Sequence, residues 1–267
     1  EADKTIPKKT VAAQDLFGDL LKERAETGRI YIMNLDHCNS HSSFKDKVSM
    51  SNLCQEITLP TTPIQDIHDD QGEIALCILS AINVGGLNDL SELESICDLA
   101  VRALEQIIDY QDYPVKAAEV STKRRRSLGI GYIGLAHYLA KNGVKYSDPK
   151  AWDLVDRLSE AFQYNLLRAS CNIAMEKGKC EGFDRTKYAE GQLPIDHYKK
   201  DVDKIVPHKQ RMAWESLRKD ILKHGLRHST LSAQMPSESS SVVSNETNGI
   251  EPPRALLSIK KSKKGPL

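Results

Sequence analysis

The sequence lacks a dominant charge, because 37 lysine and arginine residues balance 37 aspartate and glutamate residues over 267 positions. A balanced chain offers no strongly basic surface for nucleic acid or for an anionic membrane. The sequence also has no apolar run of the roughly 18 residues that would cross a bilayer, and its N-terminus lacks the basic-then-apolar layout of a signal peptide. We therefore expect a cytoplasmic protein with neither nucleic acid nor membrane as a partner.

Cysteine is sparse, and the six cysteines form no CxxC pair. This density is far below that of a secreted disulfide scaffold, which indicates reduced thiols. Cys97 and Cys171 lie within apolar helical patterns and are predicted to be core residues.

One short cluster contains side chains of the kinds that bind zinc, namely Asp36, His37, Cys38 and His41. A structural zinc site normally has a second pair of ligands at a regular spacing, and none follows here. The favoured interpretation is therefore a polar loop whose side chains form hydrogen bonds.

Hydrophobic periodicity predicts several helices, at about residues 8–27, 91–112, 132–142, 147–176 and 209–223. Gly28 is expected to end the first helix, and Ser91 with Glu94 to form a capping box at the start of the second. Extended segments are predicted at 29–35, 51–59, 74–79 and 227–235. Because no repeat or linker divides the chain, alternating strands and helices predict a single α/β unit.

The segment 51–59 contains the most reactive set of side chains. In an extended strand, residues i, i+2 and i+4 share one face, so Asn52, Cys54 and Glu56 would lie side by side. A thiol can lose a proton or a hydrogen atom, a carboxylate can act as a base and an amide can hold a hydroxyl. A buried cysteine with polar neighbours is nevertheless common in strands that have no catalytic role.

A serine-rich segment after Pro236 is a second candidate site, and it contains Ser237, Glu238, Ser239, Ser240 and Ser241. Backbone N–H groups at a helix N-terminus attract phosphate oxygens, so this segment could hold a diphosphate. A capped helix with solvated serines is the more common meaning of such a run.

Gly129, Gly131 and Gly134 match the GxGxxG pattern of dinucleotide-binding proteins. The residues before them are KRRRSL and not an apolar strand, so the context that gives this motif its meaning is missing. The glycines are expected to allow close packing, and Arg124–Arg126 to form a solvated basic face or an anion contact.

Several blocks, in the same order, closely resemble the large subunit of class I ribonucleotide reductase. They are SNLCQEITLPT, GEIALCILSAINVG, IIDYQDYP, RRRSLGIGYIGLAHYLAKNG, LPIDHYKKD, HGLRHSTLSAQMPSESSS and SNETNGIEPPRA, and they extend over about residues 10–263. The resemblance implies that residues 1–267 are part of a catalytic ten-stranded α/β barrel with a central finger loop at about 51–59. The tip of that loop would carry the radical cysteine.

The resemblance also implies the roles of individual residues. Cys54 would become a thiyl radical that takes the 3′ hydrogen from a ribonucleoside diphosphate, with Glu56 as the base for the 3′ hydroxyl and Asn52 holding the sugar hydroxyls. Cys77 matches one member of the redox pair that supplies protons as the 2′ hydroxyl leaves as water. The turn from Pro236 to Ser240, within 236–241, matches the segment that holds the substrate diphosphate through backbone amides.

By the same resemblance, parts of the enzyme lie outside this sequence. The partner of Cys77 belongs to a segment that would precede Glu1, and the N-terminal regulatory region and the C-terminal barrel end with its paired tyrosines and cysteine tail are expected to be absent. No cofactor is expected within this chain, because a diiron-tyrosyl small subunit would supply the radical and thioredoxin or glutaredoxin the reducing equivalents. The implied partners are the ribonucleoside diphosphate, the small subunit and the missing large-subunit segments.

Other functions remain open at this point. A cobalamin-dependent relative uses a similar Asn-x-Cys-x-Glu loop, and an inactive fragment would act only through assembly with complementary chains. A cysteine hydrolase has little support, because no histidine is tied to Cys54 by a motif. Since an incomplete barrel leaves strand edges open, the isolated chain is expected to associate with a missing part, to aggregate or to be only marginally stable.

Overall fold

The chain divides into two units, Glu1–Asn34 and Leu35–Leu267. The structure is a computed structural model that describes residues 5–28, 30–205, 209–255 and 257, and the backbone of 261–262 and 265–266. In the first unit, helix α1 (Ala13–Thr27) ends at Gly28, which adopts the left-handed conformation with φ 65°. The predicted stop is therefore confirmed, because glycine reaches this conformation without steric cost.

Helices make up most of the second unit. Those within the described ranges are α2 (Leu35–His41), α3 (Glu92–Tyr110), α4 (Lys116–Arg125), α5 (Leu135–Lys141), α6 (Pro149–Lys177), α7 (Pro194–His197), α8 (Trp214–His224) and α9 (Glu238–Val243). Short 3-10 turns occupy Val84–Gly86, Glu181–Arg185, Lys187–Glu190 and Lys200–Lys204.

Strand β1 (Ile78–Asn83) pairs in parallel with strand β2 (Leu128–Ile133), with Ile78 opposite Leu128. The segment 230–233 continues this arrangement on the other side of β2. Leu128 N–H donates to Thr230 O over 3.0 Å, and Ala233 N–H donates to Ile130 O over 3.2 Å. The order β1, β2, 230–233 is parallel with helices between its members, which confirms the α/β class, and these strands do not close a barrel within the described residues.

A separate antiparallel pair consists of β3 (Lys261–Ser262) and β4 (Gly265–Pro266).

The core forms where α3 and α6 pack beside the strands. The buried face of α3 includes Leu93, Cys97, Val101 and Ile108, all with no measurable exposure. Cys171 of α6 is equally buried, so both cysteines predicted to be core residues are confirmed. Each large apolar side chain buried in this way contributes about 1.5–3 kcal/mol to stability.

Two predicted segments in the N-terminal part of the chain are wrong. Residues 30–34 form no strand, and the polar loop expected after them is helix α2. Tyr31 and Ile32 are 55% and 48% exposed. Strand propensity reflects a fit to neighbouring strands, and residues 30–34 are paired with no strand in the described part of the chain.

The strand predicted at 74–79 is displaced toward the C-terminus, since only Ile78 and Leu79 belong to β1. Ile74 N–H donates to Ala117 O over 3.2 Å and is therefore not available to a sheet. Strand β2 was not predicted, and part of it was assigned to the helix at 132–142, because its glycines interrupt the apolar pattern.

The predicted capping box at the start of α3 is also wrong. Ser91 has helical dihedral angles and its side chain makes no cap. Asp89 accepts the Ser91 N–H over 2.8 Å, and the Glu92 carboxylate accepts the Asn88 N–H over 3.1 Å. Carboxylates at these positions satisfy N–H groups before and at the helix start and also suit its dipole.

Of the two alternatives predicted for the three consecutive arginines, the solvated basic face is wrong, and their side chains contact carboxylates of the same chain instead. Arg125 and Arg126 are only 2% and 4% exposed. Arg125 donates to Glu73 over 2.6 Å and to Asp46 over 2.9 Å, and Arg124 donates to Glu73 over 2.7 Å. Buried guanidinium groups require such partners, because an unpaired charge away from water is very costly.

Arg126 points to a second buried carboxylate, that of Glu105 on α3. Glu105 accepts hydrogen bonds from Arg126 over 2.7 Å and from Arg227 over 2.8 Å, and its carboxylate lies 3.0 Å from His228 Nε2. Burial opposes ionisation, but the hydrogen bonds from His228, Arg126 and Arg227 outweigh it and lower the pKa of Glu105 to about 2. Glu105 is therefore charged throughout the neutral range.

His228 is fully buried between Glu105 and Ser170. Its Nδ1 lies 2.9 Å from Ser170 Oγ, and burial lowers the pKa of the imidazole below its usual 6.5 despite the nearby carboxylate. A neutral ring that donates from Nε2 to Glu105 and accepts at Nδ1 from the Ser170 hydroxyl satisfies both nitrogens.

We expect Glu105→Gln to lower the free energy of unfolding at pH 7 by about 3–5 kcal/mol, because Arg126 and Arg227 lose a buried counter-charge. The folded-state pKa of Glu105 is about 2 against 4.5 in the unfolded chain. Its contribution is therefore present above pH 4.5 and is lost as the pH falls toward 2. At acid pH, the free energy of unfolding of the variant should therefore fall less than that of the unchanged protein. Urea unfolding followed by circular dichroism measures this difference.

Glu176→Gln is the matched control, since Glu176 forms an exposed ion pair with Arg102. Glu176→Gln should lower the free energy of unfolding far less than Glu105→Gln, because exposed ion pairs contribute little to stability. Equal destabilisation by both would contradict a special role for Glu105.

Candidate active site

Residues 52–57 form a tight turn, so the predicted extended segment is wrong. Asn52 N–H donates to Ile57 O over 3.3 Å, and Gln55 N–H donates to Asn52 O over 3.2 Å. The Asn52 side chain closes the turn, because its Oδ1 accepts the Ile57 N–H over 3.1 Å. Gln55 has a positive φ of 63°, a conformation that reverses the chain and breaks the alternation of side chains.

The turn has a buried base and an exposed tip. Ile57 and Leu59 are buried against Phe44. At the tip, Cys54 is exposed and Leu53 is 80% exposed. Packing at the apolar base therefore holds the turn in place, and Cys54 lies exposed at its tip.

The base of Cys54's turn is joined to residues far along the sequence. Phe44 forms an antiparallel bridge with Thr186. On either side of it, Lys45 N–H donates to Arg185 O over 3.0 Å and Lys187 N–H donates to Ser43 O over 2.7 Å.

A cavity of about 230 Å³ lies beside the turn and contains both Glu56 and Cys77 in its wall. One carboxylate oxygen of Glu56 is shielded from solvent and has no hydrogen-bond partner within the described residues. Burial, assisted by the negative charge of Glu56, raises the pKa of the Cys77 thiol to about 12. Cys77 is therefore a protonated thiol at neutral pH, next to a carboxylate able to accept a proton.

A second cavity, of about 120 Å³, is lined by Asn52 and Cys77 together. Cys54 lines neither cavity. The structure thus brings Asn52, Glu56 and Cys77 together around the base of the turn and places Cys54 apart from them at its tip.

Helix α9 begins in the serine-rich segment, as predicted. The extended segment predicted before it, at 227–235, is confirmed only where residues 230–233 pair with β2. Ser237 is 3% exposed and its Oγ donates to Asn248 Oδ1 over 3.0 Å. The first helical bond runs from Ser241 N–H to Ser237 O over 2.9 Å. Pro236, Glu238, Ser239 and Ser240 are exposed. The turn is therefore fixed at Ser237, and it does not line the two cavities that contain Cys77.

The glycine motif is part of a strand and its expected packing role is confirmed. Gly129 and Gly131 lie inside β2, and Gly134 precedes α5 with φ 81°. A Cβ atom at Gly131 would lie 2.5 Å from Ala233 O, so only glycine allows this approach.

The cluster of zinc-type side chains lies on α2. His41 Nδ1 is 3.0 Å from His37 O and 2.9 Å from Ser40 Oγ. Within the described residues no three His, Cys, Asp or Glu side chains are grouped as metal ligands. In the same part of the chain, no helix is both long enough and apolar enough to span a bilayer.

Several residues in the wall of the larger cavity were not predicted from the sequence. Phe44, Gln163, Tyr188 and Pro194 line the larger cavity from four distant parts of the chain. Pro194 lies in the block LPIDHYKKD but had no predicted role there, and only tertiary packing brings these side chains together.

The family model for the ribonucleotide reductase barrel domain matches residues 1–267. Ribonucleoside-diphosphate reductase subunit alpha of Haemophilus influenzae is 60% identical over 268 residues, which cover 99% of this chain and 35% of that protein. The protein of the same name from Buchnera aphidicola subsp. Baizongia pistaciae is 58% identical over 100% of this chain. Ribonucleoside-diphosphate reductase 1 subunit alpha of Escherichia coli is 55% identical over 99% of this chain. The chain spans only 36% and 35% of their lengths.

We expect iodoacetamide at pH 8 to label Cys54 much faster than Cys77. Cys54 is exposed, whereas a pKa of about 12 leaves little thiolate at Cys77, roughly one part in 10,000 at this pH. Glu56→Gln should speed labelling of Cys77, because it removes the charge that opposes the thiolate. Peptide mass spectrometry would follow both rates, with fully buried Cys97 as the internal control. Equal rates for Cys54 and Cys77 would contradict the described environments.

Proposed function

Because this chain belongs to the ribonucleotide reductase barrel-domain family, we propose that it is a segment of a class I large subunit that reduces ribonucleoside diphosphates to 2′-deoxyribonucleoside diphosphates. The observation that carries the proposal is the cavity shared by Glu56 and Cys77 at the base of the turn that holds Cys54. A partnerless carboxylate oxygen beside a protonated thiol suits a reaction that moves both protons and hydrogen atoms.

Cys54 is the proposed radical residue. Its exposed thiol at the tip of the turn would reach the ribose and take the 3′ hydrogen as a thiyl radical. Glu56 would accept the proton of the 3′ hydroxyl through the oxygen that has no partner in the described structure. Asn52 uses Oδ1 to hold the turn, which leaves its amide nitrogen to donate to a sugar hydroxyl.

Cys77 is the proposed reductant within this chain. The 2′ hydroxyl leaves as water, two thiols become one disulfide, and the hydrogen at the 3′ carbon is returned. One of those thiols is Cys77, which its raised pKa keeps protonated. The second thiol would come from a segment that the described residues do not include.

The turn from Pro236 to Ser240 is the proposed site for the substrate diphosphate. Backbone N–H groups in the first turn of a helix point toward its N-terminus, where the helix dipole favours an anion. The hydrogen bond from Ser237 to Asn248 supports this role, because it commits the buried hydroxyl and keeps the backbone fixed.

The proposed partners follow from the relatives, which are named subunit alpha and so imply at least one further subunit. We assign the radical source to a separate diiron-tyrosyl small subunit. Thioredoxin or glutaredoxin would supply the reducing equivalents in the cytoplasm, and the remaining large-subunit segments would complete the site.

We expect the chain, combined with complementary large-subunit segments and a class I small subunit, to reduce CDP in the presence of dithiothreitol. Cys54→Ser should lower the rate to that of the mixture without the small subunit, because no thiyl radical can form. Cys38→Ser is the matched control, since Cys38 is a half-buried thiol on α2 outside both cavities. Product analysis by chromatography would give the rates.

The same assay separates the alternatives. Turnover that requires adenosylcobalamin and no small subunit would instead support the cobalamin-dependent relative. No turnover in any combination would reject the enzymatic proposal and leave an inactive fragment.

A further inference from the structure

The thiol of Cys77 occupies a notch in the neighbouring strand. Gly129 lies in β2 opposite Leu79 of β1. A Cβ atom at Gly129 would lie 2.6 Å from Cys77 Sγ, 2.7 Å from Leu79 Cδ2 and 3.2 Å from Ala233 Cβ. Unstrained contacts between such atoms are about 3.5–4.0 Å. The sulfur therefore fills the space that any side chain at position 129 would need.

Space, and not backbone conformation, accounts for glycine at this position. Gly129 is not among the residues with positive φ, so another residue could adopt its backbone angles. Gly131, two residues further along the same face of β2, is crowded by Ala233 O and by the Met235 side chain, and not by Cys77. Both glycines lie near Ala233, but the Cys77 sulfur is among the three nearest neighbours of a Cβ atom at Gly129 and not of one at Gly131.

We propose that Gly129 is a positioning residue for the redox thiol of Cys77, an inference that rests on the function proposed above. The Gly129 notch holds the sulfur at the wall of the cavity that also contains Glu56. Disulfide geometry is strict, with a sulfur–sulfur distance of about 2.05 Å and a narrow range of dihedral angles. A methyl group at position 129 crowds the reduced thiol out of the notch and moves the sulfur toward the cavity, where the second thiol would approach it.

The direction of the redox effect follows from the state that the structure shows. Cys77 is a free thiol here, so crowding by a new Cβ atom destabilises the reduced form. Oxidation of two thiols to a disulfide releases two electrons and two protons, which the reduction of the ribose 2′ position consumes as water forms. Destabilising the dithiol favours the disulfide, and its reduction potential becomes more negative.

The test uses the complete large subunit that contains this segment, with its small subunit, CDP and dithiothreitol. For Gly129→Ala we expect kcat to fall at least about tenfold while KM for CDP stays within about twofold, because the change acts on the thiol and not on substrate binding. The disulfide of Cys77 should be favoured about tenfold more, a shift of about 30 mV to a more negative potential. Thiol–disulfide titration with peptide mass spectrometry measures that potential.

Gly131→Ala is the matched control, because it introduces the same methyl group into the same strand with comparable crowding. The reduction potential of the Cys77 disulfide in the Gly131→Ala variant should equal that in the unchanged protein. An unchanged or more positive potential for Gly129→Ala would overturn the inference, as would an equal shift for Gly131→Ala. If Gly129→Ala does not fold, the double variant Leu79→Ala/Gly129→Ala removes the contact with Leu79 and retains the contact with the sulfur, and the same shift is expected.

Failure of the proposed function gives a different result. If the unchanged subunit does not reduce CDP, the enzymatic proposal fails. The notch is then tested by alkylation, since Gly129→Ala should label at Cys77 several times faster than Gly131→Ala as its sulfur moves toward the cavity. Equal labelling rates would overturn the positioning role as well.

Discussion

The buried carboxylate of Glu105 is the interaction on which the strand arrangement depends. It binds Arg126, which lies two residues before β2, together with Arg227 and His228, which precede the segment 230–233. One charge on α3 therefore fixes the starts of two neighbouring strands. The register of β2 decides which of its residues lies against Cys77, so the position of the redox thiol depends on an ion network remote from it in sequence. A one-residue slip in that register would move every side chain of the strand to the opposite face.

The sequence was most informative where structure is local. The long apolar periodicities of α3 and α6 predicted both helices within a few residues, and Gly28 marked the end of α1. The errors occurred where distant residues decide. Arg125 and Arg126 look solvated by composition and become buried because Glu73 and Glu105 lie beside them. Strand β2 escaped prediction for a related reason, since its glycines serve neighbours that periodicity does not reveal.

The candidate site shows the same division. The resemblance to reductases selected Asn52, Cys54, Glu56 and Cys77. The strand face that the first three were expected to share does not exist, because Gln55 reverses the chain. The grouping arises in tertiary structure, around a cavity. There the charge of Glu56 opposes ionisation of Cys77, so the carboxylate helps the neighbouring thiol to keep its proton. Asn52 likewise has two uses, since one end of its amide holds the turn.

The bridge between Phe44 and Thr186 has a consequence for the time at which this cavity appears. Its walls include Ser43, Cys77, Leu128, Tyr188 and Ala233, so the enclosure joins residues separated by most of the chain. Contacts of such long sequence separation form slowly, because loop closure precedes any gain from them. During synthesis at the ribosome, the wall is incomplete until the last of these residues has emerged. The thiol and the carboxylate therefore share this cavity only after Ala233 has emerged, and a shorter nascent chain that already contains the turn of Cys54 lacks this part of the wall.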